Sequence, residues 1–482
     1  MYTLIQWIGT GVSNIKKDYG VKYFIQMNLF YFVIKGFFLG GMVESMMLPL
    51  YQLHFGYNEI QYQKVYCLIV DLAWCYKPSV GVFSDIYMVS KNKKKRCVQF
   101  LSVVSAIMCM LTPLISDISP RLCTAFLFIL SFSGAGMDLL HDASYSEKMI
   151  VSPALISKHN IVFYVWGITL VGAAIGKFTI GIISDYMSPL PLMWIGVILY
   201  TSLFSTTTLD YMEEDNSVIR CKDRRYYIPA VAFFVTSTVA FFAIDNMEEF
   251  SYLWLMVALM ALNLCALKLT TTQKMMSCII YLVLFTVTIV KFTGAIDFFY
   301  TDSCVGTPNF SYAYYVGVVG ILKFVFGLFG IYFTSKFTHW RVPNIFRMIV
   351  VVSVVISLFE ILQVQRVNIA LGISDYLFYF AGEAVFGSII HLVFFVNMFI
   401  LMTRMLDQEK SAIQIALMQS SQNFSLMFSA ALGNWLIKKY DIVDCNFGDL
   451  PMLLAYGKMI LVIICIPLSR KLLPNILLTT DN

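Results

Sequence analysis

The chain has 482 residues, 59% of them hydrophobic and only 13% charged, and its 34 Lys and Arg against 29 Asp and Glu leave a formal net charge of +5. That balance lies well outside the range of soluble globular domains. Because one bilayer crossing takes about 20 largely apolar residues, the length holds a dozen or more of them, and the expected surroundings are a lipid bilayer, with no nucleic-acid partner.

In chain order, fourteen apolar stretches read as spans: 23–50, 57–83, 98–116, 122–146, 160–184, 189–208, 227–245, 252–270, 276–297, 312–335, 346–364, 374–403, 411–437 and 451–469. An even number puts both termini on one side. With that side cytoplasmic, only Arg121, Arg366, Lys438 and Lys439 fall in or beside outside loops, whereas most other Lys and Arg sit on cytoplasmic ends, as the positive-inside rule requires. No compact apolar core with a small-residue cleavage site opens the chain, so the first span is expected to act as an uncleaved signal. The location expected is the plasma membrane, with an organelle membrane as the alternative.

Between the second and third spans runs KPSVGVFSDIYMVSKNKKKR, Lys77 to Arg96. Gly81 permits close helix approach, Ser84 and Asp85 stand at an expected helix end, and the Lys cluster that follows resists crossing a bilayer. GVFSDIYM at Gly81 is echoed by GIISDYM at Gly181, a short match of the kind internal repeats leave. The charged segment DYMEEDNSVIRCKDRR, Asp210 to Arg225, reads as a central cytoplasmic loop. This divides the chain into a six-span bundle over 1–208, a loop over 209–226, an inserted helix pair over 227–273 and a second six-span bundle over 274–482. Twelve spans is the alternative.

The eleven Cys show no metal-ligand spacing, and no cofactor or metal site is expected. Only Cys304 and Cys445 fall in outside loops, where a disulfide can form. Asn309-Phe310-Ser311 is a glycosylation sequon in the first of these loops. No nucleophile–base pair, phosphate loop or metal triad appears outside the spans, so an enzyme is not expected.

The Lys77–Arg96 layout resembles the loop between the second and third spans of major facilitator transporters, and Lys77-Pro78 with Gly81, Ser84 and Asp85 resembles the signature of the folate-biopterin transporter family. Asp138, Asp142 and Glu147 in the fourth span are similar to that family's acidic spacing, and Trp166 with Gly172, Gly176 and Gly181 to its Gly-rich fifth helix. Ala416-Leu417, Asn423 and Gly433 are similar to its penultimate core helix. The chain departs from the pattern at Glu409 and Ser411, where the family has a Gly and then a Glu, and in the preference of its basic loop for Lys over Arg. The resemblance implies a two-bundle carrier of folate or pterin solutes, with Lys77, Pro78, Gly81, Ser84, Asp85 and Arg96 as a conformational latch away from the substrate.

Ionisable side chains within apolar spans are expensive and tend to be functional. The candidates for a substrate and proton site are Glu44, Asp138, Asp142, Lys177, Lys291, Lys323, Glu360, Glu383 and His391, with Asn423 from the family resemblance; Lys35 and Asp71 lie at similar depth. Asp138 and Asp142 share a helix face, so one of the two is a candidate proton carrier, with Lys177 on the next helix as the candidate partner. A pterin ring suits aromatic faces and a carboxylate, and a glutamyl tail suits Lys or Arg. The expected function is secondary, proton-coupled transport by alternating access. A facilitator for another small organic solute, such as a sugar or amino acid, stays open, as does a non-transporting receptor.

Overall fold

The computed structural model describes residues 16–17, 19–86, 92–115, 119–151, 155–212, 224–336, 340–405 and 411–476. Twelve helices in it are long and apolar enough to cross a membrane: α1 Val21–His54, α2 Glu59–Ser84, α3 Lys94–Ile115, α4 Pro120–Tyr145, α5 Tyr164–Ser184, α6 Leu190–Thr208, α8 Glu249–Lys268, α9 Gln273–Thr301, α10 Ala313–Thr334, α11 Val342–Val364, α12 Asp375–Met402 and α14 Leu450–Leu472. Two more complete the series. The shorter apolar α7 is Tyr227–Ala243, and the 29-residue α13 is Ser411–Lys439. Helix α13 carries Gln414, Gln419, Ser420, Ser421, Ser425, Ser429 and Asn434, largely buried, and is enclosed by α2, α8 and α9. Each expected span therefore coincides with a helix of this series.

Helices α1–α6 pack on one another, as do α9–α14, and the two groups meet along two seams: α2 against α9 and α13, and α5 against α10. The α7–α8 pair lies outside the first seam, α7 on α2 and α8 on α13. Glu249 at the start of α8 fixes it there, accepting from Lys64 of α2 at 3.0 Å and from Lys438 of α13 at 2.5 Å. Glycine brings the second seam and its neighbours into backbone contact: a Cβ on Gly172 would lie 2.1 Å from the Phe32 carbonyl oxygen of α1, and one on Gly181 would lie 2.5 Å from the Gly317 nitrogen of α10. Packing is thus the role of the fifth-helix glycines, as small residues in membrane bundles allow.

The ninth span departs from the expected single helix. It runs helical over Gln273–Thr288, opens at Ile289–Phe292 and resumes over Thr293–Thr301. Freed backbone groups at that depth need partners, and neighbouring helices supply them. The Gln63 amide of α2 donates to the Lys291 carbonyl at 3.0 Å and accepts from the Gly294 N–H at 3.1 Å. Ser429 of α13 accepts from the Lys291 N–H at 3.0 Å and donates to the Ile289 carbonyl at 2.8 Å, while the Val290 N–H donates to the Gly457 carbonyl at 3.0 Å.

The end of the bundle opposite the start of α1 carries the loops at 302–312 and 440–449, which a Cys304–Cys445 disulfide joins with a Cα separation of 5.7 Å. The two groups are laced together at that opposite end. Gln52 of α1 donates to Asp302 at 2.5 Å and accepts from the hydroxyls of Thr301 at 3.0 Å and Tyr312 at 2.7 Å. Asp185, after α5, accepts from the backbone N–H groups of Tyr312 and Ala313 at 2.8 and 3.0 Å, capping α10. Burial raises the Asp302 carboxyl above the usual carboxylate range, and the Gln52 hydrogen bond opposes that shift.

Candidate functional site

A cavity of about 140 Å3 lies near the middle of the first group, bounded by Lys35, Gly40 and Glu44 of α1, Trp74 of α2, Ser131 of α4 and Thr169 of α5. Its Lys35 belongs to an ion cluster. Asp138 of α4 accepts from Lys35 at 2.6 Å and from Lys77 of α2 at 2.7 Å, and Lys77 also donates to Gln419 of α13 at 2.9 Å. The Lys35 ammonium lies over Trp166 at 4.7 Å, and that of Lys77 lies over Trp74 at 4.7 Å, so aromatic faces share in holding both cations. One turn along α4, Asp142 accepts from the Tyr31 hydroxyl at 2.7 Å.

Further pairs continue across the interior. Lys291, in the break of α9, meets Asp71 of α2 at 2.7 Å and so bridges the two groups. Lys458 of α14 meets Glu360 of α11 at 2.7 Å. Two pairs are looser: Lys177 of α5 stands 4.0 Å from Glu44, and Lys323 of α10 stands 3.5 Å from Glu383 of α12. Asp297, in the second half of α9, accepts from the hydroxyls of Tyr62 at 3.1 Å and Tyr315 at 2.7 Å. Tyr66 donates to Glu44 at 3.3 Å. His391 is ring-stacked with Phe395 at 6.4 Å, and Phe395 touches Trp166 at 4.7 Å, which places His391 at the meeting of the groups. Asn423 lies four residues beyond Gln419 and seven before Ala430, both hydrogen-bonded to α2, and so shares their face of α13.

Two expectations need correction. Asp138 does not pair with Lys177: Lys35 and Lys77 already occupy its two oxygens, and Lys177 turns to Glu44. Lys77 is not part of a surface loop either, because its helix continues to Ile86 and carries it more than two turns inward, where its side chain is only 3% exposed. Pro78 and Ser84 are buried on the same segment, and Gly81 faces Leu139 of α4, to which an added Cβ would approach within 3.3 Å. Arg96 is exposed at the start of α3, and its neighbour Lys95 pairs with Asp210 beyond α6. The side chains of Asp85, Glu147, Glu409 and Ser411 lie outside the described residues. Missed from sequence were Asp297, Lys458 as part of the site, Gln63 and the tyrosine donors. Asp297 stands at the predicted end of a span, where a carboxylate calls for no explanation, and only its distant partners reveal its burial.

Among the described residues no group of three or more His, Cys, Asp and Glu is placed to hold a metal ion. What the arrangement offers is a set of paired charges at membrane depth, several of them linking the two groups of helices.

The fold recurs in solved structures. The crystal structure of the nucleoside transporter NupG matches with a TM-score of 0.60 at 11% identity, over 92% of this chain and 99% of that one. The POT family transporter PepTSo matches with a TM-score of 0.65 at 10% identity, over 93% and 96%. A POT family transporter in complex with a thioalcohol-conjugated peptide gives 0.66 at 10% identity, over 92% and 94%. Identities this low establish the fold alone, and with the helix series it defines a polytopic, major facilitator-like membrane protein. No curated protein matches the sequence. The chain belongs to the BT1 family, whose model matches residues 38–482, and is accordingly a membrane transporter of the folate-biopterin transporter family.

Proposed function

We propose that the protein carries folate- or pterin-like solutes across a membrane by alternating access, coupled to protons. The observation that carries the reading is the set of ion pairs and hydrogen bonds that span the two groups at mid-depth, Lys77 with Gln419 and Lys291 with Asp71. A structural bundle gains little from charges at a cost of about 2.5 to 3.5 kcal/mol each in the bilayer centre, whereas a carrier uses them in exchanging partners. Helices α1–α6 and α9–α14 are then the two moving halves, and the hydrogen bonds of Gln52 and Asp185 are the closure at the outer end. The termini lie in the cytoplasm, which makes the disulfide-bearing end the outer one. A flat ring finds Trp74 and Trp166 beside the cavity, and a proton finds carboxylates held by hydroxyls in Asp142 and Asp297 and loosely paired ones in Glu44 and Glu383.

The test is uptake of labelled folic acid by transport-deficient cells in competition with unlabelled biopterin, peptides, nucleosides, sugars and amino acids. Competition by biopterin alone supports the reading. Folic acid uptake equal to that of cells lacking the protein, or displacement chiefly by one of the other solutes, overturns it.

A further inference from the structure

The lysines within the spans are not equally engaged. Lys35, Lys77, Lys291 and Lys458 each have a carboxylate oxygen within 2.7 Å. Lys177 and Lys323 do not, at 4.0 and 3.5 Å, and their side chains are also the most open of the six, 32% and 42% exposed. Both sit near the middle of their helices. They are also neighbours across the second seam: a Cβ on Gly320, one turn before Lys323, would lie 2.8 Å from the Lys177 Cβ. An ammonium has three donors, so the two together hold several that no described group takes up, at a depth where an unsatisfied charge is costly.

We infer that Lys177 and Lys323 form an anion subsite, one lysine from each half, that takes the carboxylates of an acidic, glutamate-type tail on the substrate. This deepens the folate or pterin reading and rests on it, and Glu44, which Lys177 faces, lines the cavity. Lysine suits the task as a flexible point charge. Glu44 and Glu383, loosely facing the two lysines, hold the positions that substrate carboxylates take. Charge balance then requires a proton for each glutamate displaced: the ammonium keeps its charge, the substrate carboxylate takes its place beside it, and the glutamate accepts a proton from solution. Facing Glu44 are Lys177 and the Tyr66 hydroxyl, with Asp71, Lys291, His391 and Tyr62 also acting on it; facing Glu383 are Lys323, Lys458, Glu360, Tyr379, Tyr300 and His391. A ligand held by both lysines also ties the halves together.

The test uses purified full-length protein and thermal-shift titration with two probes, p-aminobenzoylglutamate, which has the tail without the pterin, and biopterin, which has the ring without a carboxylate. The tail fragment is expected to stabilise wild type and Lys323→Arg. Lys323→Gln and Lys177→Gln should lose about tenfold or more of that affinity, as truncating one side of a desolvated charge pair does, while biopterin stabilises all four proteins alike. Failure of the tail fragment to stabilise wild type, or an equal loss for both probes in the Gln variants, overturns the subsite. Binding of the tail fragment with the expected variant pattern, but with no stabilisation of any of the four proteins by biopterin, upholds the subsite and removes the folate or pterin reading.

Discussion

Replacing Asp138 by Asn removes the one carboxylate that serves two buried ammoniums. Lys77 is 3% exposed and Lys35 11%, so neither recovers its hydration, and breaking a buried pair from one side costs about 3–5 kcal/mol. Lys77 retains the Gln419 oxygen and the Trp74 face, and Lys35 retains Trp166; contacts to aromatic faces are worth about 0.5–2 kcal/mol and offset part of the loss. The expected cost of Asp138→Asn is therefore near the lower bound, about 3 kcal/mol. Adding Lys77→Gln removes one stranded charge, so the double variant should recover about 1–2 kcal/mol relative to the sum of the two single changes. Unfolding of the detergent-solubilised protein, followed by intrinsic fluorescence for the four members of the cycle, measures both quantities. An Asp138→Asn protein as stable as wild type, or strict additivity in the cycle, would refute the paired-cluster argument and return Asp138 to the free proton carrier that its spacing with Asp142 first indicated.

Gln63→Ala strands the Gly294 N–H and the Lys291 carbonyl at about 1–3 kcal/mol per buried group; a melting temperature unchanged from wild type would show that the break in α9 is held by other means. Gly172→Val places a side chain on the Phe32 carbonyl and should abolish folded protein, whereas Gly167→Ala, with open space around its Cβ, should leave abundance unchanged; fluorescence-detected gel filtration distinguishes them, and equal yields would refute the close packing of α1 on α5. Thiol tags at Asn92 and Gln273 should react from one side of the membrane and tags at Asn309 and Asn446 from the other. Labelling of Asn92 and Gln273 from opposite sides would mean that α7 and α8 do not both cross.

The helix series was legible because lipid imposes its requirement locally: a run of apolar residues long enough to span must be helical, whatever it packs against. Even α13, with its many Gln, Ser and Asn, coincides with an apolar stretch read as a span, 411–437. The break at Ile289–Phe292 was not legible. Its sequence, Ile-Val-Lys-Phe, contains neither Gly nor Pro, and what opens the helix there is a set of hydrogen bonds from Gln63 and Ser429, more than a hundred residues away. Partner choice was hidden for the same reason. Spacing placed Asp138 and Asp142 on one face, but which lysine reaches Asp138 depends on the approach of α1 and α2, and that approach is set by glycine contacts between helices distant in sequence. The depth of Lys77 was missed because Lys77 to Arg96 was read as one surface segment with its basic cluster, although the expected span 57–83 already contained Lys77.

The measurement that bears most directly on the central claim is accumulation of labelled folic acid in proteoliposomes that contain only this protein, with an acidic exterior imposed and then collapsed by a protonophore. The account predicts uptake above equilibrium while the gradient stands, loss of the accumulated solute when it collapses, and persistent exchange of labelled for unlabelled folic acid in either condition. Uptake that is absent in proteoliposomes with correctly folded protein, or that is unaffected by the gradient, would contradict it.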